Sequence, residues 1–118
     1  MAALNNLAYL KAEEGSDLDT ALTLAQRARQ GAPRDPNVAD TLGWVYIKKN
    51  LSDDAIRIYR EVVATAPNNA AYHYHLAMAL YQKGDKRAAK QALEDALKHQ
   101  PSPADQQNIR ELMGKVGS

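Results

Sequence analysis

The chain has 118 residues, 45% of them apolar, with no phenylalanine, no cysteine and one tryptophan; 15 Lys and Arg stand against 14 Asp and Glu. That length carries one domain or one short array rather than two, and the near-zero charge balance supplies no field to draw in nucleic acid or an anionic membrane. The lack of cysteine excludes disulfides and thiolate metal sites while leaving cytoplasm and periplasm equally open.

Ala and Leu interspersed with charge favour helices over sheets, and an all-α chain is expected. No apolar run reaches the roughly 18 residues of a membrane span, so no direct membrane insertion is expected. "MAALNNLAYL" enters a helical pattern at once with no capping residue ahead of it, as a piece of a longer protein would. This first helix, "ALNNLAYLKAEE", ends at Gly15, and Asp17 offers a carboxylate to the free amides of the next, "DTALTLAQRARQ". Asp35 followed by Pro36 is a cap and first-turn proline opening "PNVADTLGWVYIKK"; Asn50 ends it, and Ser52 is the expected cap of "DDAIRIYREVVATA". Next come "AAYHYHLAMALYQK", ended by Gly84, and "KRAAKQALEDALKH", capped by Asp85. Ser102 and Pro103 repeat the cap-and-proline signal before "ADQQNIRELMGKV".

These seven segments repeat. Pro33, Pro67 and Pro101 are 34 residues apart, as are Ala21, Ala55 and Ala89, and Ala28, Val62 and Ala96. Leu7, Leu42 and Leu76 step by 35 and then 34, which places one inserted residue, Ser16, in the turn between the first two helices. Three helix-turn-helix units, 1–35, 36–69 and 70–102, with a terminal helix at 103–116, follow in a single domain 1–118. Short loops make neighbouring helices antiparallel, and stacked hairpins bury together a core that no unit buries alone.

The pattern resembles the tetratricopeptide repeat family over nearly the whole chain. In the second unit Leu42, Gly43, Tyr46, Ala55, Tyr59, Val62 and Pro67 stand at the family's fixed places, and in the third Leu76, Ala77, Leu80, Ala89, Leu93, Ala96 and Pro101. The first unit carries Lys11 where an aromatic is usual, which suggests a frayed or terminal helix. "NNLAYL", "DTLGWVY" and "YHYHLAMALYQKGD" are similar to bacterial arrays of envelope and exopolysaccharide-associated proteins. The resemblance implies a right-handed α-solenoid whose first helices line a concave groove for a peptide or partner protein, without enzymatic activity or cofactor.

Helical geometry divides the first helices independently of the family. At about 100° per residue, Ala39, Leu42, Gly43 and Tyr46 share one arc. Asn37, Asp40, Thr41, Trp44, Ile47 and Lys48 share the opposite one. Gly43 then serves close helix packing, while Trp44 faces the groove in a column with Tyr9 and Met78. Tyr74, His75 and Tyr81 lie beside it, with Asn5, Asn6, Asp40, Thr41, Lys48 and Gln82 as polar company. Aromatic anchors among adaptable hydrogen-bonding groups suit peptide binding. The competing expectation is that adjacent first helices touch along this arc and bury Trp44, Ile47 and Tyr81 between repeats.

Other chemistry is weakly signalled. The places with which some family members grip a carboxylate tail are Asn5, Tyr9, Thr41, Ala71 and His75, none of them basic. His73 and His75 point about 200° apart on a helix and cannot share a metal ion; His99 is placed to cap a helix end. Glu13-Glu14, Asp53-Asp54 and Glu94-Asp95 read as solvated charge, and Lys83, Lys86, Arg87 and Lys90 as a surface ridge. No phosphate loop or catalytic spacing is present. A second expectation is self-association through apolar array ends carrying Leu4, Leu7, Leu112, Met113 and Val116, unless the last helix is a solvating cap.

Overall fold

The computed structural model describes residues 2–117 as seven helices. They are α1 (Ala2–Glu14), α2 (Leu18–Gly31), α3 (Pro36–Lys48), α4 (Ser52–Thr65), α5 (Ala70–Lys83), α6 (Lys86–Leu97) and α7 (Pro103–Val116). Gly15, Asn50 and Gly84 all exit in the left-handed region, with φ of 74°, 63° and 95°. Asp17, Asp35, Asp85 and Ser102 cap α2, α3, α6 and α7 by accepting from the backbone N–H of Thr20, Asn37, Ala88 and Asp105. Ser52 departs from expectation. Helix α4 starts with it, Leu51 occupies the cap position without a side-chain bond, and the Ser52 hydroxyl donates to Gln82 Oε1 at 2.7 Å. Asn69 is a cap the sequence reading omitted: its Oδ1 accepts from Tyr72 N–H.

Helices α1, α3, α5 and α7 touch in succession, whereas α2, α4 and α6 each pack only on their neighbours in sequence and not on one another. Odd-numbered helices therefore form an inner layer and even-numbered ones a splayed outer layer, the arrangement of a solenoid of helical hairpins. The seam between layers is built of small residues, among them the fully buried Ala8, Ala12, Ala21, Ala25, Ala28, Ala55, Ala77 and Ala89, which let backbones approach. Larger fillers are Val45, Tyr59, Val62, Leu93 and Ile109. At Gly43 the expected close approach has a specific partner: a Cβ there would lie 2.6 Å from Tyr59 Cε2. The Tyr59 ring occupies that space, and its hydroxyl donates to the Asp40 carbonyl at 2.9 Å.

The two ends differ. Leu112 and Val116 of α7 are buried and Met113 half-buried, so this helix closes the core at the C-terminal side as a cap. On α1, Leu7 is 44% and Leu10 60% exposed. Their counterparts one unit on, Leu42 and Val45, are buried because α2 covers α3, and no described helix covers α1 in that way. Lys11 is half-buried within an unbroken α1 rather than in a frayed end.

Candidate functional site

The inner layer carries the sequence-selected residues on three neighbouring helices, but to different depths. Asn6 and Tyr9 on α1, Lys48 on α3 and Gln82 on α5 are exposed; Asp40, Trp44, Tyr74, His75, Met78 and Tyr81 are half-buried. Asn5 and Thr41 are buried rather than open to solvent, because α1 packs against α3 there, though both still line an inner depression. Ile47 is buried for the same reason, against α5. The Asn5 Oδ1 has no hydrogen-bond partner in this burial.

Trp44 combines both expectations. Its indole N–H donates to Glu13 Oε1 of α1 at 3.0 Å, a bond between repeats, while its ring meets His75 of α5 at 5.5 Å and Lys48 Nζ at 4.9 Å. Glu13, read from sequence as solvated charge, thus orients the indole; the signal was its place one helical turn beyond Tyr9. His75 Nδ1 lies 2.7 Å from Asp40 Oδ1, and Tyr59 and Tyr74 flank the imidazole at 5.7 and 5.8 Å. The Tyr9 phenol is pushed up from its ordinary pKa, first by burial and then by the Glu13 and Asp40 carboxylates. Burial, then Asp105 and Glu111, do the same to Tyr74. Carboxylates therefore lie close enough to both phenols to disfavour their ionised forms.

Three depressions follow the inner layer. The first, about 470 Å³ between α1 and α3, is walled by Asn5, Asn6, Tyr9, Asp40 and Thr41 with Leu10 and Asn37. A small one of about 80 Å³ lies beside Trp44 among Tyr9, Asp40, Thr41 and His75. The third, about 270 Å³, joins Tyr74, Met78, Tyr81 and Gln82 to Ile47 and to α7 through Asn108, Glu111, Leu112 and Lys115. The sequence reading has α7 as an array end for self-association, with Leu112 in it, or as a solvating cap, and misses Asn108, Glu111 and Lys115 beside the inner layer. From the cap Asn69 to the cap Ser102 the step is 33 residues, and the same step carries Met78 to Glu111, extending the Tyr9, Trp44, Met78 column onto α7. Lys48 lines none of the depressions.

The histidines part company as expected. His73 is buried with Nε2 2.7 Å from the Pro67 carbonyl, and its ring stacks on His99 at 5.4 Å. Ring stacking, rather than a helix-end cap alone, occupies His99. On the outer surface Asp53 is ion-paired with Lys83 of the basic ridge. Among the described residues no helix is long and apolar enough to cross a membrane.

A family model of the tetratricopeptide repeat matches residues 12–73 and again 49–115. The search of curated proteins returns no match. Solved structures of similar fold include the type III secretion translocator chaperone SycD of Yersinia enterocolitica, with TM-score 0.85, 19% identity, and coverage of 98% of this chain and 82% of that one. The same chaperone in complex with a peptide of the translocator YopD matches with TM-score 0.84 and 18% identity over 98% and 91% of the two chains. Its alternative dimer matches with TM-score 0.86 and 20% identity over 98% and 90%. At such identities the likeness is one of fold.

Proposed function

The chain belongs to the tetratricopeptide repeat family, and from that premise we propose that it is a non-enzymatic binding module that holds an extended segment of a partner protein along its inner layer. The observation that carries this reading is the run of half-buried or exposed Tyr9, Trp44, Tyr74, Met78 and Tyr81 across α1, α3 and α5, beside depressions that continue to α7. The Tyr and Trp residues offer large contact area with few rotors to freeze, and Met78 adds an adaptable apolar side chain. That a similar fold is solved in complex with a translocator peptide supports a peptide-holding role. The test is selection of binders from a displayed random-peptide library, followed by titration against Trp44→Ala and Tyr81→Ala variants shown to be folded by circular dichroism. At least one substitution is expected to weaken binding by 2 kcal/mol or more, about thirtyfold. Selected peptides that bind both variants at full affinity overturn the proposal.

One observation favours a second role. Leu7 and Leu10 expose an apolar strip on α1 at positions that are buried in the following unit, and pairing of two such strips makes an isologous dimer. The alternative dimer of SycD shows that a similar fold associates with itself. Sedimentation should show concentration-dependent association that Leu7→Gln with Leu10→Gln abolishes; an unchanging monomer across the series eliminates this role.

A further inference from the structure

The smallest inner depression has the chemistry for one kind of guest. Its volume of about 80 Å³ is well below the roughly 300–1,000 Å³ of a pocket for a drug-sized molecule; it admits the end of one side chain. It is lined by Tyr9, Asp40, Thr41, Trp44 and His75, with no Lys or Arg among them. Thr41 Oγ1 donates to the Asn37 carbonyl at 3.3 Å, which leaves its oxygen lone pairs as acceptors. Asp40, with 18% of its side chain exposed, uses Oδ1 toward His75, and a carboxylate has about four acceptor sites in all.

Charge settles the class of guest. An anion would meet the Asp40 carboxylate in a lining without Lys or Arg, with the Glu13 carboxylate bonded to the Trp44 indole nearby. An apolar group would strip water from the carboxylate and give nothing in return. An ammonium meets a carboxylate, a hydroxyl oxygen and aromatic faces, the surroundings that stabilise an alkylammonium by both charge and cation–π attraction. The molecule itself illustrates the attraction just outside the cavity, where the Lys48 ammonium stands 4.9 Å from the Trp44 ring. The Tyr9 phenol is pushed up first by burial and then by the Glu13 and Asp40 carboxylates.

We propose that the cavity between Tyr9, Asp40, Trp44 and His75 is an alkylammonium subsite that receives the end of a lysine side chain. This rests on the groove reading above, because the lysine is one residue of the segment held there. The guest adds specificity to a surface whose other anchors are apolar: the segment carries a lysine at the α1–α3–α5 junction and an apolar residue toward the larger depression at α7.

Trp44 is the only tryptophan, so its fluorescence reports on the cavity wall directly. The protein is titrated at pH 8 and constant ionic strength with N-acetyl-lysine methylamide, tetramethylammonium chloride and the neutral N-acetyl-norleucine methylamide. Saturable responses to the lysine probe are expected, with the norleucine probe at least about tenfold weaker and Asp40→Asn weakening the lysine probe by a similar factor. A saturable response to tetramethylammonium as well identifies the ammonium head as sufficient; a response to lysine alone shows that the stem and N–H bonds are required, and either supports the subsite. Norleucine bound as tightly as lysine, or no saturable response to lysine up to about 100 mM, overturns it, and both readouts use the unmodified protein. The groove reading fails separately: a selected peptide whose binding needs Trp44 but tolerates replacement of every lysine by norleucine refutes the subsite and keeps the groove.

Discussion

The Tyr59 ring fills the space that a side chain at Gly43 would take, and two consequences follow from the ring. Gly43→Ala would place a methyl group 2.6 Å from Cε2 and 2.7 Å from Cζ. The ring must shift, disturbing its bond to the Asp40 carbonyl, so a loss of about 1–3 kcal/mol is expected in urea denaturation. Gly114→Ala, where a Cβ meets nothing within 4 Å, should instead be neutral or stabilising by up to about 1 kcal/mol through helix propensity. The second consequence concerns pH. Burial, then the Asp40 carboxylate, raises the Tyr59 phenol well above its ordinary value of 10. Below pH 10 both folded and unfolded states keep the proton and the stabilisation is complete; as pH rises beyond 10 the unfolded state ionises first, and stability falls until the folded value is reached. Tyr9, Tyr72 and Tyr74 are raised too and act in the same direction. Urea midpoints should therefore drop between pH 9 and pH 11, and less steeply in Tyr59→Phe; equal drops would remove Tyr59 from the account. Gly43 was legible in the sequence because helical phase alone puts it on the packed arc. The burial of Asn5 and Thr41 was not, since it depends on how far neighbouring inner helices overlap.

At the scale of the helix, four of the expected caps form because Asp17, Asp35, Asp85 and Ser102 stand directly before the first helical residue. Ser52 stands one place too far inside and bonds to Gln82 instead. Removing the true caps Asn69 or Ser102 by alanine substitution should each cost about 1 kcal/mol, whereas Ser52→Ala, losing one surface bond, should stay within about 0.5 kcal/mol. Thermal denaturation of the three variants distinguishes the assignments. Cap identity is readable from residue type only to within a position, because whether a hydroxyl caps depends on the backbone angles at its own residue. Helix α7 shows the same limit in another form: its polar and apolar sides marked it as a cap, but the place of Asn108 and Glu111 beside Met78 became visible only with its 33-residue register.

For the whole molecule, the radius of gyration is 13.6 Å, close to the about 13.5 Å of an ordinary globular domain of this length. Three units and a cap therefore stay compact, with extents of 37 × 27 × 24 Å, rather than forming an elongated superhelix. The 34-residue period gave the hairpins and their order because each unit repeats the same packing problem. It could not give the exposure of Leu7 and Leu10, which follows from there being no described helix over α1. The last helix is part of the common core: Ile109 is fully buried, and Ile109→Ala should cost about 2–5 kcal/mol, a large share of the about 5–15 kcal/mol total of a domain. A loss below 1 kcal/mol in urea unfolding would mean that α7 docks only loosely.

The central claim is that partner segments lie on the inner layer, and amide shift mapping by nuclear magnetic resonance with a library-selected peptide tests it most directly. The account expects the perturbed amides, and the Trp44 indole N–H with them, to concentrate on α1, α3, α5 and α7. Perturbations gathered on α2, α4 and α6, with the Trp44 indole unmoved, would contradict it.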